Sequence, residues 1–185
     1  MSRPSPPPPA FLVMGILLAA GEDPGAVLGR VQESFGPIRD ATAWEPFTST
    51  RYYDREMGPG IRRCYLWLGD PVDPAALAEI KERTNRLEAE WADRSGRRRA
   101  NLDPGLLGLT NLVLATGKPA AHRVYLGRGI YAEVEYRFER GSFRPLEWTY
   151  PDYRQPETIA FFNRVRDAYR RWRKAPGPSS EGTPT

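Results

Sequence analysis

Hydrophobic positions in the first half of the chain follow the same order twice: a short apolar run, the dipeptide Asp-Pro, and then inward-facing residues at helical spacing. The first run is Phe11–Ala19 and the second is Ile61–Leu68. Asp suits the position before a helix because its carboxylate accepts free backbone N–H groups, and Pro suits the first helical position because no N–H is needed there. The pattern therefore predicts two strands, each followed by a helix that begins at residues 23–24 or 73–74.

Two weaker segments complete this part of the chain. A short strand is predicted near Ile38–Trp44, after the first helix, and another near Arg98–Leu102, after the second. A strand–helix–strand unit that occurs twice is the ferredoxin-like arrangement, β-α-β-β-α-β. We therefore expect the first two-thirds of the chain to adopt it.

The last third of the chain shows strict alternation instead. Arg123–Leu126 and Ile130–Phe138 alternate apolar and polar residues around a glycine-bearing turn, which predicts a β-hairpin. The alternation places Glu133 and Glu135 on a polar face that we expect to be exposed to solvent. A final helix is predicted over Glu157–Lys174. The fold class is thus α+β, with a twisted, mostly antiparallel sheet and about three helices.

Composition sets the domain bounds. Residues 1–9 contain five prolines and residues 175–185 lack any large apolar side chain, so we expect both ends to be disordered. Residues 10–174 then form a single domain. The apolar run at residues 10–20 resembles a short export signal, but four prolines precede it, and a buried first strand is the favoured interpretation. A cytoplasmic location and no membrane association follow from that interpretation.

Several chemistries are excluded by single residue counts. The 185-residue chain has one histidine, His122, and one cysteine, Cys64, which excludes paired-histidine catalysis, histidine-rich zinc sites and thiolate metal clusters within one chain. It also lacks a phosphate-binding P-loop and a G-x-S-x-G nucleophile elbow. The net charge of +4 is mild and is compatible with an anionic partner. No catalytic residue and no cofactor can be assigned.

The first candidate site is the basic stretch at residues 97–105, which contains Asn101 and Asp103. As a functional site it would be a polar loop at the end of a strand, in which Asp103 acts as a base or metal ligand. The alternative is a solvated arginine triplet followed by ordinary turn and cap residues.

A second candidate surrounds the predicted hairpin. It comprises His122, Arg123, Tyr125 and Arg128. Arg128 lies between two glycines, so its side chain and nearby backbone N–H groups can approach a phosphate. An ordinary tight turn with an exposed arginine is the alternative.

A third candidate is the carboxylate pair Glu133 and Glu135, which with Asp103 would bind a divalent cation. Cross-strand ion pairs with Arg123 are the competing interpretation. Aromatic residues beside arginine, at residues 52–53 and 148–154, would stack RNA bases or simply pack the connection to the last helix. The arginine-rich last helix would add attraction to RNA phosphates.

Four segments together resemble an uncharacterised bacterial family, the domain of unknown function 4416. They are E-M-G-P-G at residues 56–60, N-L-D-P-G at 101–105, Y-L-G-R-G-I-Y-A-E-V at 125–134 and W-T-Y-P-D-Y-R at 148–154. The resemblance implies no activity and no catalytic residue. Members of the family are often labelled GTP-binding proteins, but this sequence lacks both the phosphate loop and the guanine-reading N-K-x-D motif of ordinary GTPases.

The sequence therefore leaves several functions open. Binding or processing of an anionic, phosphate-bearing small molecule is favoured, with RNA as a narrower version, and the residues involved are Asn101, Asp103, His122, Arg123, Tyr125 and Arg128. A non-enzymatic protein-interaction domain is the first alternative. A carboxylate-metal enzyme that uses Asp103, Glu133 and Glu135 is the second.

Overall fold

A computed structural model of the chain describes residues 3–175. It has nine strands: β1 (Ala10–Leu18), β2 (Ile38–Ala41), β3 (Glu45–Pro46), β4 (Arg62–Val72), β5 (Ala100–Leu107), β6 (Asn111–Thr116), β7 (Val124–Gly127), β8 (Ile130–Glu139) and β9 (Ser142–Pro145). Its helices are α1 (Pro24–Phe35), α2 (Asp54–Met57), α3 (Leu77–Glu90) and α4 (Pro156–Lys174), with a 3₁₀ turn at Pro74–Ala76. The three long helices are those that the sequence predicts, and α2 is a single additional turn.

All nine strands belong to one antiparallel sheet, whose main order is β2-β4-β1-β5-β6-β8-β7. The first four positions of this order are those of a β-α-β-β-α-β unit, with β1 between β4 and β5. The ferredoxin-like prediction is thereby confirmed, and the second half of the chain extends the same sheet. The short strands β3 and β9 pair with β4 and β8.

Helices cover both faces of the sheet. Successive side chains of β1 point to opposite faces and nearly all are apolar, so both faces must be buried. Leu12, Met14 and Ile16 pack with α1 and α3 in one cluster of buried residues. Phe11 and Val13 face the other side, where they pack in the cluster that includes α4. Asp23 caps α1 by accepting from the backbone N–H groups of residues 25 and 26, as predicted. The strand β1 is buried throughout, so the predicted first strand lies at the centre of the sheet.

The strand predicted near Arg98–Leu102 is present, but it extends further than predicted, through residues that were interpreted as a loop. Residues 100–107 form β5, and Asp103 and Pro104 lie in its middle. The register with β1 covers the whole of β5, but the register with β6 begins only at Gly105. Pro104 has no backbone N–H to donate, which suits the point where pairing with β6 stops. Turn-forming residue types therefore mark a place where two strands separate.

The strand β8 departs from strict alternation. Its register with β6 shifts between Leu112 and Val113, so that Glu135 is an extra residue in β8. A bulge of this kind changes the direction of the side chains around it. Glu133 and Glu135 are 2% and 0% exposed, so the prediction that they form a solvent-exposed face is wrong.

The N-terminal residues 3–9 are exposed and belong to no helix or strand, although the carbonyl of Pro9 accepts a hydrogen bond from the hydroxyl of Tyr169. The predicted C-terminal tail at residues 175–185 lies outside the described residues, except for Ala175. Within residues 3–175, no helix has both the length and the apolar character needed to cross a membrane.

Candidate functional site

A cavity of about 530 Å³ opens on the face of the sheet that α4 covers, beside the core under that helix. Its floor comes from three neighbouring strands. Gly15 of β1 is paired with Tyr65 of β4 on one side and with Asp103 of β5 on the other, so these three residues form one row across the sheet. Arg63 and Leu17, two residues along, belong to the next row. We call this space the main cavity.

The walls of the main cavity are largely aromatic. They come from the connection that leads to α2, at residues 47–53, and from the connection that leads to α4, at residues 150–153. Its aromatic lining residues are Phe47, Tyr52, Tyr53, Tyr65, Tyr150 and Tyr153. Five of the six carry a hydroxyl, so the walls combine flat apolar surfaces with polar edges.

A second space of about 300 Å³ adjoins the first, where β5 and β6 separate. The two spaces share several lining residues, among them Asp103, Lys118 and Tyr150. We call the second space the polar chamber because its lining carries Lys81, Arg98, Asn101 and Glu133 as well. The separation of β5 from β6 at residues 100–104 thus connects a polar space to an aromatic one.

Lys81 joins α3 to the polar chamber. Its ammonium group donates to the carbonyl oxygen of Leu102 at 2.7 Å and to Asp103 Oδ1 at 3.3 Å, and it lies 3.7 Å from Glu88 Oε1. Lys81 and Glu88 are both buried. Buried charges of this kind are tolerated only when each is paired and hydrogen-bonded, so Lys81 and Glu88 hold β5 against α3.

Arg98 extends this network outwards. Its guanidinium group donates to both carboxylate oxygens of Glu56, at 2.6 and 2.7 Å, and also to Glu88 and Asn101. The hydrogen bonds from Arg98 lower the pKa of Glu56. The other arginines of the triplet are paired too, Arg97 with Asp93 and Arg99 with Glu22. The basic triplet is therefore a set of ion pairs.

A second network holds residues 150–153, which form the roof of the main cavity, against the floor. Tyr65 donates its hydroxyl to Asp152 Oδ2 at 2.9 Å, and Arg63 Nη1 donates to the backbone carbonyl of Asp152 at 3.1 Å. Arg63 also reaches Glu45, at 3.3 Å. Burial raises the pKa of Asp152 from its ordinary value. This network fixes residues 150–153 above β4 and β1.

A third network closes the side of the polar chamber. Glu133 is buried and accepts from Arg123 Nε at 3.0 Å, and His122 Nε2 lies 3.0 Å from the same carboxylate. Arg123 also donates to the Tyr150 hydroxyl at 2.9 Å and to the carbonyl of Lys118 at 2.8 Å. The cross-strand ion pair between Arg123 and Glu133, which was the competing interpretation of this candidate, is present.

Lys118 differs from the other basic residues of the lining. Its ammonium group donates to the Tyr52 hydroxyl at 2.8 Å and lies 4.3 Å from the centre of that ring. Across the described part of the chain, no carboxylate lies within ion-pair distance of it. The hydrogen bond from Lys118 lowers the pKa of Tyr52. Lys118 is thus a positive charge at the junction of the two spaces that a ligand can neutralise.

Two buried polar atoms near residues 150–153 have no hydrogen-bond partner within residues 3–175. One is the hydroxyl of Tyr153, which lines the main cavity, and another is Oε2 of Glu135. The other oxygen of Glu135 accepts from the backbone N–H of Tyr150 at 2.7 Å. Burial raises the pKa of Glu135 to about 8, which favours the protonated carboxyl group at neutral pH.

The structure brings together only part of the predicted ligand-binding set. Asn101, Asp103 and Arg123 line the connected spaces. His122 contacts them through Glu133 and stacks on Trp148, with 5.0 Å between ring centres.

The hairpin tip lies elsewhere. Arg128 forms an exposed ion pair with Glu82 of α3 at 2.7 Å, and Tyr125 is 59% exposed beside Tyr131. Neither residue lines the main cavity or the polar chamber. The ordinary-turn interpretation fits both residues better than a phosphate site.

The predicted carboxylate-metal set is not assembled as a metal site. Asp103 is held by Lys81 and Asn101, whereas Glu133 is held by Arg123. Among residues 3–175, no group of three or more histidine, cysteine or carboxylate side chains is arranged to hold a metal ion.

Sequence reasoning missed several lining residues. Gly15 and Arg63 lie inside strands that read as apolar runs, and Lys81 lies on a helix face between apolar positions. Lys118 belongs to the turn that follows β6, and no motif in the sequence marks it. The signal that was available is the segment at residues 148–154, which we had interpreted only as packing or base stacking. It supplies Tyr150, Asp152 and Tyr153.

Comparison with known families gives one match. Residues 8–169 match the family model described as "Domain of unknown function (DUF4416)", which covers most of the chain and includes every residue of the candidate site. Neither the curated proteins nor the solved structures contain a match to the chain.

Proposed function

Since the chain belongs to the DUF4416 family, whose description names no function, we propose a function from the cavity itself: the protein binds a small molecule that joins a flat ring to a single anionic group. The observation that carries this proposal is Lys118, a cation without a carboxylate partner in the described chain, at the junction of an aromatic cavity and a polar chamber.

The size and lining of the main cavity favour a ligand with a ring. Small-molecule sites are concave, with volumes of roughly 300–1,000 Å³, and are mostly apolar with a few polar groups that fix the ligand's orientation. The main cavity has about 530 Å³ and six aromatic residues in its lining. Tyrosine faces stack on flat rings, and their hydroxyl edges remain available for hydrogen bonds.

Charge favours a single negative group on the ligand. The main cavity is lined by Arg63, Lys118 and Arg123 and by the carboxylates of Asp103 and Asp152. Arg63 contacts Asp152, and Arg123 is neutralised by Glu133, which lines the adjoining chamber. The charge of Lys118 is therefore the one that a ligand would balance.

A ring with one phosphate falls within the class that the sequence favoured, an anionic, phosphate-bearing molecule. Because the arginines of the triplet and the hairpin tip are paired, the proposal moves the anion from those residues to Lys118. RNA would need an open basic surface, so tight binding of an RNA oligonucleotide without competition from small phosphates would favour the RNA alternative.

The test compares two lysines with the same chemistry. We would measure melting temperatures and binding isotherms for wild type, Lys118→Gln and Lys174→Gln with phenyl phosphate and nucleoside monophosphates. Lys174 is exposed at the end of α4, and Arg128→Gln adds a second control outside the cavity.

The ligand should raise the melting temperature further with each tenfold increase in its concentration above the dissociation constant, because the stabilisation grows with the logarithm of that ratio. Loss of a charge-assisted contact of about 1.5 kcal/mol should weaken binding roughly tenfold in Lys118→Gln. The two controls should bind like wild type. If no probe binds, or if all three variants bind equally, the proposal is wrong and a protein-interaction role without a ligand becomes the better hypothesis.

A further inference from the structure

The hydroxyl of Tyr153 is the least explained polar group near the main cavity. The residue is 4% exposed and lines the cavity, and its hydroxyl has no partner within residues 3–175. The ring packs on Phe162 and against Tyr65, and phenylalanine would make the same contacts. A buried hydroxyl without a partner is unfavourable, so packing alone does not account for a tyrosine at this position.

The backbone below this hydroxyl leaves room for it. A Cβ atom on Gly15 would lie 2.7 Å from Tyr153 Oη, which is too close for the two atoms to coexist. The absence of a side chain at Gly15 therefore allows the hydroxyl to lie on the cavity floor. The hydroxyl thus lies over Gly15, in the row of residues that crosses β4, β1 and β5.

An acceptor lies beside this donor. Asp103 is paired directly with Gly15, and both side-chain positions face the same side of the sheet. Its carboxylate accepts from Lys81 and Asn101, and a carboxylate has about four lone-pair sites, so acceptor capacity remains. A hydroxyl without a partner and a carboxylate with remaining acceptor capacity therefore belong to neighbouring positions of the floor, over Gly15 and at Asp103.

We infer that the main cavity recognises a nitrogen heterocycle whose edge carries an N–H donor next to a carbonyl or ring-nitrogen acceptor, as a nucleobase does. This inference rests on the proposed function and specifies its ring. The Tyr153 hydroxyl donates to the acceptor on that edge, and Asp103 accepts from the N–H group. Lys118 then lies at the other end of the ligand, where the anionic group belongs. A phenyl ring of similar size would leave the Tyr153 hydroxyl without a partner and the remaining acceptor capacity of Asp103 unused.

The experiment separates recognition of the ring from recognition of the anion. We would measure dissociation constants of the full chain for adenosine 5′-monophosphate, uridine 5′-monophosphate and phenyl phosphate, which share a phosphate group. The variant is Tyr153→Phe, which keeps the packing and removes the hydroxyl. Its ligand-free melting temperature should equal or exceed that of wild type, because the unpartnered group is removed. Asp103→Asn provides a second variant that alters the acceptor.

In wild type, at least one nucleotide should bind ten times more tightly than phenyl phosphate. Tyr153→Phe should weaken binding of that nucleotide about tenfold and leave phenyl phosphate unchanged, and Asp103→Asn should reduce the same preference. The inference is overturned if phenyl phosphate binds as tightly as both nucleotides, or if Tyr153→Phe affects all probes equally or none of them. In those cases the proposed ring-and-anion function stands. If none of the three probes binds, both proposals fail.

Discussion

The contact between Gly15 and Tyr153 can be tested without any ligand, by adding one methyl group to the floor of the main cavity. In Gly15→Ala, the new Cβ would lie 2.7 Å from the Tyr153 hydroxyl oxygen, which is much shorter than the 3.4 Å at which ordinary van der Waals contact begins. Because Tyr153 is held between neighbouring rings, it has little freedom to move away. We therefore expect the substitution to destabilise the protein.

The magnitude follows from two opposing effects. Overpacking a buried site costs about 1–3 kcal/mol. Replacing glycine by alanine where the backbone permits it stabilises by about 0.4–1 kcal/mol, because the unfolded chain loses freedom, and Gly15 does not have a positive φ. The net loss in wild type should thus be about 0.5–2 kcal/mol. At about 2–4 °C per kcal/mol, this is a fall of a few degrees in the melting temperature.

A double-mutant cycle identifies the cause. In a Tyr153→Phe background the clashing oxygen is absent, and the next atoms are carbons of the Tyr65 ring at 3.4 and 3.5 Å, which is ordinary contact. Gly15→Ala should then be neutral or stabilising by up to about 1 kcal/mol. The coupling energy between the two positions, measured by urea unfolding of the four proteins, should be about 1–3 kcal/mol. An equal loss in both backgrounds would refute the proposed contact.

Two further predictions concern pH and the N-terminal segment. Burial raises the pKa of Glu135 from 4.5 to about 8, so the folded protein binds a proton that the unfolded chain releases, and stability should fall as the pH rises between those values by up to about 1.4 kcal/mol per pH unit. Glu135→Gln should flatten this part of the curve in urea titrations at pH 5, 6.5 and 8, and an unchanged slope would contradict the assignment. Deleting residues 1–8 should leave the melting temperature within a few degrees, because those described among them are exposed and the contact of Tyr169 is with Pro9. Deleting residues 1–18 should abolish cooperative unfolding because β1 pairs on both sides, and cooperative melting of that variant would contradict the topology.

The three long helices and the first four strands of the sheet order could be predicted from the sequence because their determinants are local. The Asp-Pro caps fix where α1 and the 3₁₀ turn before α3 begin, and apolar spacing fixes the faces that each helix buries. The order of the first four strands follows from the repeated strand–helix unit, since few topologies satisfy the rules on connections. Local patterns and general rules were sufficient for these elements.

The cavity could not be predicted because it depends on registers between distant segments. Gly15, Tyr65 and Asp103 become neighbours only when three strands pair in one particular alignment. The bulge at Glu135 is another such case, because the extra residue of β8 is defined only by its register with β6. Likewise, nothing near Arg128 in the sequence indicates Glu82, which lies 46 residues away on α3.

The distribution of the family-like segments supports the cavity over the hairpin tip as the functional region. The segment at residues 101–105 supplies Asp103 on the floor, and the segment at 148–154 supplies the roof. The segment at 56–60 is tied to them through Glu56 and Arg98, which lines the polar chamber. The hairpin segment at 125–134 reaches the chamber only through Glu133, at the end of the segment away from the turn. Asp103, Glu133 and Tyr150, which are far apart in the chain, therefore meet at one concave site, whereas the glycine-flanked arginine does not line it.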